Sequence, residues 1–371
     1  MTRIVISAPL VGEQRTGPGV HLTELVRAML AARTDLEVRT RQASIRGRAA
    51  HRASAARIDA RVRAATIPVP TTALRPLQAA THFPSERLLL GGYDVYHQFH
   101  TDADPAVPDQ KLVVTLHDTV ALDWPDAEGR MYVHADRLLR RAAAVLTVSR
   151  FSKDAICAAF EIAPQRVHVA YNGVDHERFR PGESPRPFAV PYVLFVGGQT
   201  PRKNVPRMIE AFARARAELD RPDLRFVLAG PVRAAERQLR AGAPQSLPPE
   251  ALAFVGHVPD DEVVALYRHA DALLYASLYE GFGMPALEAM ACGTPVIAGS
   301  GSALSEIAGP AAELPDPTDT AAIADAIGRV LREGPDRRAA RRARGIDHAA
   351  AFTWDRCART VLDVYDSVTR R

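Results

Sequence analysis

The sequence predicts an α/β protein made of two Rossmann-like domains whose parallel sheets face each other across a cleft. The chain has 371 residues, which is more than one ordinary hydrophobic core accommodates and is typical of two domains. Continuous apolar runs of strand length alternate with amphipathic helical stretches, a pattern typical of parallel sheets covered by helices on both faces. The alternation begins twice, before and after the proline-rich stretch ERFRPGESPRPFAVPY (177–192).

The first domain is predicted over residues 1–178. It opens with the apolar run RIVISA, which reaches glycine too soon for a signal peptide and is typical of a buried strand. Its predicted strands cover residues 3–8, 94–99, 112–117, 144–149 and 167–171. Its predicted helices cover residues 19–33, 128–142 and 151–160.

The second domain is predicted over residues 179–352. Its predicted strands cover residues 192–197, 224–230, 253–256, 272–277 and 295–299. Its predicted helices cover residues 204–219, 260–269, 285–292 and 319–332. A last helix is predicted to begin near Phe352-Thr353-Trp354, and we expect this segment, 353–371, to pack back on the first domain.

The segment from Arg39 to Arg75 departs from the alternation of strands and helices. It holds nine arginines and a single acid, Asp59. Its alanine-rich part, RAAHRASAARIDARVRAA (48–65), favours a helix. Two interpretations remain open, a solvated basic face or an electrostatic dock for an anionic membrane surface or a pyrophosphate-linked acceptor.

The composition argues against several classes of protein. A net charge of +4 is too mild to indicate a nucleic-acid partner, so none is expected. No apolar run reaches the about 18 residues that a membrane-spanning helix requires. The three cysteines are far apart and have no zinc-site spacing, which favours a reducing compartment. We therefore expect a cytoplasmic protein, with peripheral attachment to the inner face of the membrane as an open alternative.

The stretch LYEGFGMPALEAMACGTPVIA (278–298) predicts a ligand site. It follows an apolar strand, its two glycines allow close backbone approach, and Pro285 suits the first position of a helix. The N–H groups at such a helix start bind anions, whereas Glu280 and Glu288, which we place before the turn and in the first turn of the helix, would accept hydroxyls. This arrangement suits a nucleotide-sugar, whose diphosphate lies between two polyols. The competing interpretation is a capped helix with two surface acids.

The spacing E-x7-E, from Glu280 to Glu288 within GFGMPALEAMACGTPVIA, resembles that of the retaining GT-B glycosyltransferases of family 4, also called group 1, and in particular their mannosyltransferase-like members. The resemblance covers the chain except for residues 39–90. Its other motifs are LHD (116–118), LTVSRFSKDAI (146–156), VAYNGVD (169–175), VGGQTPRKN (196–204) and the Phe-Thr-Trp that opens the last helix. It implies the GT-B fold, in which two Rossmann-like domains close over a nucleotide-sugar held mostly by the second domain.

The resemblance also implies roles for residues of the second domain. Glu288 would bind the ribose hydroxyls, and Glu280 would lie near the transferred sugar. In the loop 196–204, Arg202 and Lys203 would neutralise the diphosphate and stabilise the leaving group. Many relatives carry an arginine where Gly198 stands, and we expect Arg202 to replace it. The remaining donor-binding candidates are Gly198, Asn204, Gly230, His257, Val258, Gly281, Phe282, Gly283, Met284 and Pro285.

In the first domain the resemblance places His117, with Asp118, against the transferred sugar and the acceptor. A lone histidine at a strand end is otherwise more often structural. Gly19 would let the domain approach the donor, while Ser149 and Asn172 are further candidates lining the cleft. The sequence DAD (102–104) matches the metal motif of a different glycosyltransferase fold, but we interpret it as a turn. Because Lys203 and Arg202 supply the positive charge, we expect neither a metal nor another cofactor.

The predicted function is retaining, metal-independent transfer of a hexose from a nucleoside-diphosphate sugar to a hydroxyl acceptor. Mannose or a deoxyhexose is favoured, with a GDP-linked donor first and UDP- or dTDP-linked donors as alternatives. A lipid-pyrophosphate-linked glycan is a candidate acceptor, in polysaccharide or glycolipid assembly. Two alternatives stay open, a nucleotide-sugar 2-epimerase of the same fold and a non-catalytic nucleotide-sugar-binding protein. A nicotinamide dehydrogenase is disfavoured, because no GxGxxG motif follows a strand with an acid about 20 residues further on.

Overall fold

A computed structural model describes residues 1–7, 17–44, 46–101, 103–123, 134–231 and 235–370, without the side chains at 71, 72, 75, 79 and 260. Predictions that fall on Ala8, on Asp102 and on residues 128–133 therefore lie outside the described residues. The chain divides into two compact units. One comprises Met1–Gly173 and Trp354–Arg371, and the other comprises Val174–Thr353.

The first unit is built on a parallel sheet that has seven strands among the described residues. The strands are β1 Thr2–Ser7, β2 Leu36–Ala43, β3 Arg63–Ile67, β4 Val95–Gln98, β5 Leu112–Thr115, β6 Ala144–Thr147 and β7 Val167–Val169. Their spatial order is β3-β2-β1-β4-β5-β6-β7, so β2 and β3 are added on one side of β1 and the later strands on the other.

Helices connect these strands. Those described in the first unit are Gly17–Ala32, Arg48–Ile58, Thr71–Thr81, Glu86–Leu90, Val120–Asp123, Ala135–Arg141, Arg150–Phe160 and Trp354–Thr369. Short 3-10 turns occur at Asp109–Lys111 and Pro164–Arg166. None of the described helices is long and apolar enough to cross a lipid bilayer.

The last helix, Trp354–Thr369, is part of the first unit although it follows the second unit in sequence. Its apolar face is buried, and Tyr365 Oη lies 2.5 Å from His97 Nδ1 of β4. At the surface, Arg33 Nη1 donates to Asp366 Oδ1 at 2.7 Å. The helix thus contacts β4 through a buried polar pair, and it contacts Arg33, the residue that follows the first helix, through an ion pair.

The segment 39–75 corrects the sequence analysis. It contributes two strands, β2 and β3, that were not predicted, and the helix predicted over 48–65 ends at Ile58. The strands were missed because Arg39, Arg41 and Arg63 interrupt the apolar runs that indicate buried strands. Arg41 is nevertheless buried, because its guanidinium pairs with the buried Glu86 carboxylate at 2.7 Å.

The second unit is built on a parallel sheet that has five strands among the described residues. The strands are β8 Tyr192–Val196, β9 Arg225–Ala229, β10 Leu252–Gly256, β11 Ala272–Tyr275 and β12 Val296–Ala298, and their spatial order is β10-β9-β8-β11-β12. The described helices are Val205–Glu218, Glu236–Ala241, Asp260–His269, Met284–Ala291, Ala303–Ala308, Thr320–Leu331 and Pro335–Ala350, with 3-10 turns at Pro201–Lys203, Pro249–Ala251 and Gly309–Ala311. The predicted parallel-sheet architecture is confirmed in both units.

Candidate active site

Glu280 forms the centre of a charged cluster in the second unit, in the turn that follows β11. Its side chain is 7% exposed and accepts hydrogen bonds from Lys203 Nζ at 2.7 Å and from Arg202 Nη1 at 3.1 Å. Burial by itself raises the pKa of Glu280, but the charges of Lys203 and Arg202 outweigh burial and hold this pKa below its ordinary value. An ionised carboxylate therefore lies between two cations.

The two cations are held by the loop that follows β8. A 3-10 turn, Pro201–Lys203, brings them to the same carboxylate, and the backbone N–H of Leu278 donates to Arg202 O at 2.8 Å. Lys203 Nζ also donates to Tyr275 Oη at 2.6 Å and lies 4.9 Å from the centroid of that ring. The loop and the turn after β11 are thus fixed to each other by charge and by backbone bonds.

Asn204 stabilises the end of this loop. It adopts a left-handed conformation, with φ at 58°, and its amide Nδ2 donates to Ala276 O at 2.9 Å and Pro317 O at 2.7 Å. These internal bonds occupy the Asn204 amide donor. Gly198, at the other end of the loop, is half-buried, and a Cβ atom there would lie 3.3 Å from Pro231 Cγ.

Gly230 packs against the start of the same loop. Its φ is +105°, and an added Cβ atom would lie only 2.7 Å from Gly197 O, so a larger residue would push the two backbones apart. Its N–H donates to Gly256 O at 2.6 Å, at the end of β10. His257 and Val258 follow directly. These predicted base-binding positions therefore lie at the carboxyl edge of the sheet, where open α/β sheets bind ligands.

The helix after Glu280 begins one residue earlier than expected, and this corrects two predictions. The helix spans Met284–Ala291, so Pro285 is its second residue and Glu288 lies in its second turn rather than its first. Gly283 precedes the helix with φ at +102°, and a Cβ atom there would lie 2.4 Å from Leu304 Cδ2. Gly281 and Phe282 are buried beside it.

Glu288 has a partner that the sequence analysis did not identify. Tyr267 Oη donates to Glu288 Oε2 at 2.9 Å. Burial and the Glu288 charge raise the pKa of Tyr267 far above its ordinary value, so the phenol stays protonated and can only donate to the carboxylate. The Glu288 side chain is half-buried, and its carboxylate is an acceptor suited to ligand hydroxyls.

The first unit contains the predicted residues His117, Asp118 and Gly19. β5 ends at Thr115, so His117 lies beyond the strand and not at its last position as predicted. Burial lowers the pKa of His117 to about 3, and its Nε2 is buried with no hydrogen bond among the described residues. Asp118 Oδ1 accepts from the backbone N–H of Val120 at 3.1 Å, and Gly19 is half-buried in the first turn of its helix.

His21 is a further residue of this group that sequence reasoning missed. Its ring meets the His117 ring edge to face, with centroids 4.9 Å apart, and its Nδ1 lies 2.5 Å from Asn172 Oδ1. Burial lowers the pKa of His21 to about 4. The only signal in the sequence is a histidine beside apolar helix positions, which is more typical of a core residue.

Ser149, by contrast, caps the helix Arg150–Phe160 by accepting from Ser152 N at 3.0 Å.

Asp104, in the described part of the DAD sequence, forms ion pairs within the first unit. Asp104 is buried, and its carboxylate pairs with Arg141 and, at 3.0 Å, with Arg137. Asp102 lies outside the described residues. Over the part of the chain that the structure describes, no three His, Cys, Asp or Glu side chains form a group that could hold a metal ion.

Two family models match the chain, one in each half. The model described as "Glycosyltransferase Family 4" matches residues 15–178, and the model described as "Glycosyl transferases group 1" matches residues 180–345. The second match includes the whole Arg202–Lys203–Glu280 cluster and Glu288.

Curated relatives agree with these matches. The chain is 29% identical to the O-antigen chain mannosyltransferase B of Escherichia coli, over 69% of this chain and 70% of that protein. It is 31% identical to the D-inositol 3-phosphate glycosyltransferase of Acidothermus cellulolyticus, over 76% of this chain and 69% of that protein. The identity is therefore moderate but extends over most of each protein.

A solved structure shows the same fold. The Anabaena protein HepE, determined in complex with UDP and glucose, superposes with a TM-score of 0.72 at 18% identity, covering 99% of this chain and 100% of that chain. At this identity the likeness concerns the fold alone. Together with the two family models and the curated relatives, it shows that the chain belongs to the group 1, family 4 glycosyltransferases and has the GT-B fold.

Proposed function

We propose that the protein is a retaining glycosyltransferase that moves a hexose, mannose first, from a nucleoside-diphosphate sugar to a hydroxyl acceptor. The observation that carries this proposal is the cluster in which buried Glu280 fixes both Lys203 and Arg202. One carboxylate beside two cations leaves an excess positive charge, and this charge suits the diphosphate of the donor.

The proposed reaction breaks the bond between the anomeric carbon and the diphosphate oxygen and forms a bond from the same carbon to the acceptor oxygen, on the same face of the sugar. The acceptor hydroxyl proton passes to the departing diphosphate. Lys203 and Arg202 stabilise the negative charge that develops on the leaving group. This positive charge requires no metal ion, so we expect activity to survive chelation with EDTA.

His117 is proposed to act as a neutral hydrogen-bonding group toward the sugar and the acceptor. Its lowered pKa keeps the imidazole uncharged at neutral pH, so it cannot supply a positive charge to the leaving group. Glu288 is proposed to accept hydrogen bonds from the ribose hydroxyls, with Tyr267 Oη orienting its carboxylate. These roles assign the sugar and the ribose to different carboxylates, Glu280 and Glu288.

The donor and the acceptor are proposed from the relatives' names and from chemistry. The E. coli relative is named a mannosyltransferase, which supports mannose and hence GDP-mannose as the first donor. The HepE complex keeps UDP-linked sugars, with dTDP-linked ones, as alternatives. A lipid-pyrophosphate-linked glycan at the inner membrane face is the proposed acceptor. Exposed arginines of the segment 39–75, such as Arg46, Arg48 and Arg52, would attract its phosphates, whereas Arg41 is committed to Glu86.

A thermal-shift panel with GDP, UDP, dTDP, ADP and CDP tests the donor site. A nucleotide at about 100 times its dissociation constant should stabilise the protein by about 2.7 kcal/mol. We expect one of these nucleotides to raise the unfolding temperature. This increase should disappear in Lys203→Ala and persist in Lys153→Ala, which removes a lysine of the other unit. If no nucleotide shifts the unfolding temperature, the assignment of the donor site is wrong.

The product then separates the three candidate functions. The protein is incubated with a nucleotide-sugar that carries the base identified by the thermal shift, and the glycoside formed is examined by NMR. We expect its anomeric configuration to be that of the donor, as retaining transfer requires. An epimerised free nucleotide-sugar would instead indicate a 2-epimerase. A non-catalytic binding protein would bind the donor without releasing the diphosphate to any acceptor.

A further inference from the structure

The His117 imidazole is oriented by no hydrogen bond among the described residues. Its Nε2 atom is buried without a partner, and the bond that this residue accepts from Thr147 Oγ1, at 3.4 Å, goes to its backbone carbonyl. A group that meets a substrate must nevertheless be held in one orientation, because a small misplacement lowers the rate strongly. The orientation of the His117 ring must therefore come from packing.

The neighbouring strand β4 carries a buried histidine with the usual arrangement. His97 uses both ring nitrogens, since its Nδ1 lies 2.5 Å from Tyr365 Oη and its Nε2 lies 2.7 Å from Thr115 Oγ1. Two hydrogen bonds fix the tautomer and the orientation of this ring, so His97 is held as a structural residue. His117, which follows the next strand of the sheet, lacks such bonds.

His21 supplies the packing that His117 requires. The two rings meet at 88° with their centroids 4.9 Å apart, which is the edge-to-face geometry that aromatic rings prefer. The His21 side chain is buried, so its ring is confined by its neighbours. One face of the His117 environment is thus a ring that cannot turn away.

His21 is itself fixed by a hydrogen bond and by two further rings. Its Nδ1 lies 2.5 Å from Asn172 Oδ1, and because an amide oxygen only accepts, this nitrogen carries the hydrogen. The rings of Phe99 and Trp354 also pack against it, with centroids 5.6 and 5.9 Å away. Asn172 therefore sets both the tautomer and the orientation of the ring that contacts His117.

We propose that His21 is a positioning residue for the transfer reaction, in which its ring, anchored on Asn172, holds the His117 imidazole in the orientation that contacts the sugar and the acceptor. This inference deepens the proposed function and rests on the role proposed there for His117. Without the His21 ring, the His117 side chain can rotate about its Cβ–Cγ bond, whose torsional preference is broad. Turnover should then fall, whereas the second unit, which is proposed to hold the nucleotide, should keep its affinity.

Two substitutions of His21 separate its ring from its hydrogen bond. His21→Phe keeps a ring beside His117 but loses the bond to Asn172, whereas His21→Gln keeps a donor for Asn172 Oδ1 but loses the ring. The assay is release of GDP from GDP-mannose with water as the acceptor, and urea unfolding measures stability. We expect His21→Phe to be the less stable variant and yet to keep kcat within about threefold of the wild type, because the ring contact remains. His21→Gln should be the more stable variant and yet lose about tenfold or more in kcat.

Two controls accompany these variants. His51→Gln alters another buried histidine of the same unit, whose ring nitrogens lie 3.0 Å from Thr40 Oγ1 and 2.8 Å from Thr66 Oγ1, and it should lower stability without changing kcat. In a His117→Ala background, His21→Gln should have no further effect on kcat, because the residue through which it acts is gone.

NMR relaxation of histidines labelled at Cε1 tests the orientation without turnover. The His117 resonance is assigned from the spectrum of His117→Ala. We expect this ring to be rigid in the wild type and in His21→Phe and to become mobile in His21→Gln. If the wild type releases no GDP, this measurement alone decides.

Three outcomes would overturn the proposal. One is a kcat that follows stability, so that His21→Phe is slower than His21→Gln. Another is an undiminished effect of His21→Gln in the His117→Ala background, and the third is a His117 ring that is equally rigid in all three proteins. A ring that becomes mobile while kcat stays unchanged would instead overturn the role proposed for His117, and this inference with it. The nucleotide thermal shift, measured on the same variants, reports separately on the donor site.

Discussion

Lys203 Nζ lies 2.7 Å from Glu280 Oε1, and both side chains are largely buried. These residues are 77 positions apart in sequence, on loops that follow different strands of one sheet. The pair joins the two loops that the sequence analysis assigned to the diphosphate and to the sugar. A change in either residue should therefore affect both folding and the donor site.

Lys203→Met should destabilise the protein by about 3 kcal/mol at pH 7. The buried Glu280 carboxylate would then lose one of the two cations that compensate its charge and keep only Arg202. The interactions that lower the pKa of Glu280 stabilise the folded protein at pH values above the ordinary carboxyl pKa. This stabilisation is lost as the pH falls through the lowered pKa of Glu280. The difference between variant and wild type should accordingly shrink at acid pH. Urea unfolding at neutral and acid pH measures it, and an equal difference at both would contradict the ion-pair account.

Tyr267→Phe should weaken nucleotide binding by about tenfold, because Glu288 loses the hydrogen bond that orients it. Tyr192→Phe is the matched control, because it also removes a buried phenol hydrogen bond, but one that Tyr192 Oη donates to Leu266 O, at 2.8 Å, and not to Glu288. Both variants should lose about 1 kcal/mol of stability. Calorimetric titration decides, and equal nucleotide affinity in the two variants would show that Tyr267 is only a core residue.

His21→Gln should reduce the acid sensitivity of the fold. An unfolded histidine titrates at about 6.5, whereas His21 is held at about 4 in the folded chain, so protons favour the unfolded state. Stability from neutral His21 is complete above about pH 6.5 and falls as the pH drops toward 4, by about 3 kcal/mol. Urea unfolding over this pH range should show a smaller loss in the variant. Parallel curves would mean that His21 does not titrate as its burial indicates.

Arg41→Gln should destabilise the protein by about 3–5 kcal/mol, because it leaves the Glu86 carboxylate buried without its guanidinium. Arg52→Gln, at an exposed position of the same segment, should change stability by less than about 0.5 kcal/mol. Thermal unfolding of the two variants measures the contrast. Similar unfolding temperatures would indicate that the segment 39–75 is one solvated basic face.

The sequence by itself determined the two parallel sheets and the family. Central strands such as β5, β8 and β11 are covered on both faces, so they appear as continuous apolar runs that differ clearly from the helices. The spacing from Glu280 to Glu288 is local, and a local motif can be recognised without knowledge of what packs around it.

The tertiary structure decided which distant residues meet. β2 and β3 were not predicted because Arg39, Arg41 and Arg63 interrupt their apolar runs, and only the tertiary structure shows that Arg41 is buried against Glu86. His21 and Asn172 are 151 residues apart, and Tyr267 meets Glu288 only through packing of two helices. Sequence periodicity indicates which face of an element is buried, whereas the partner of a buried polar atom depends on how the elements are placed in three dimensions.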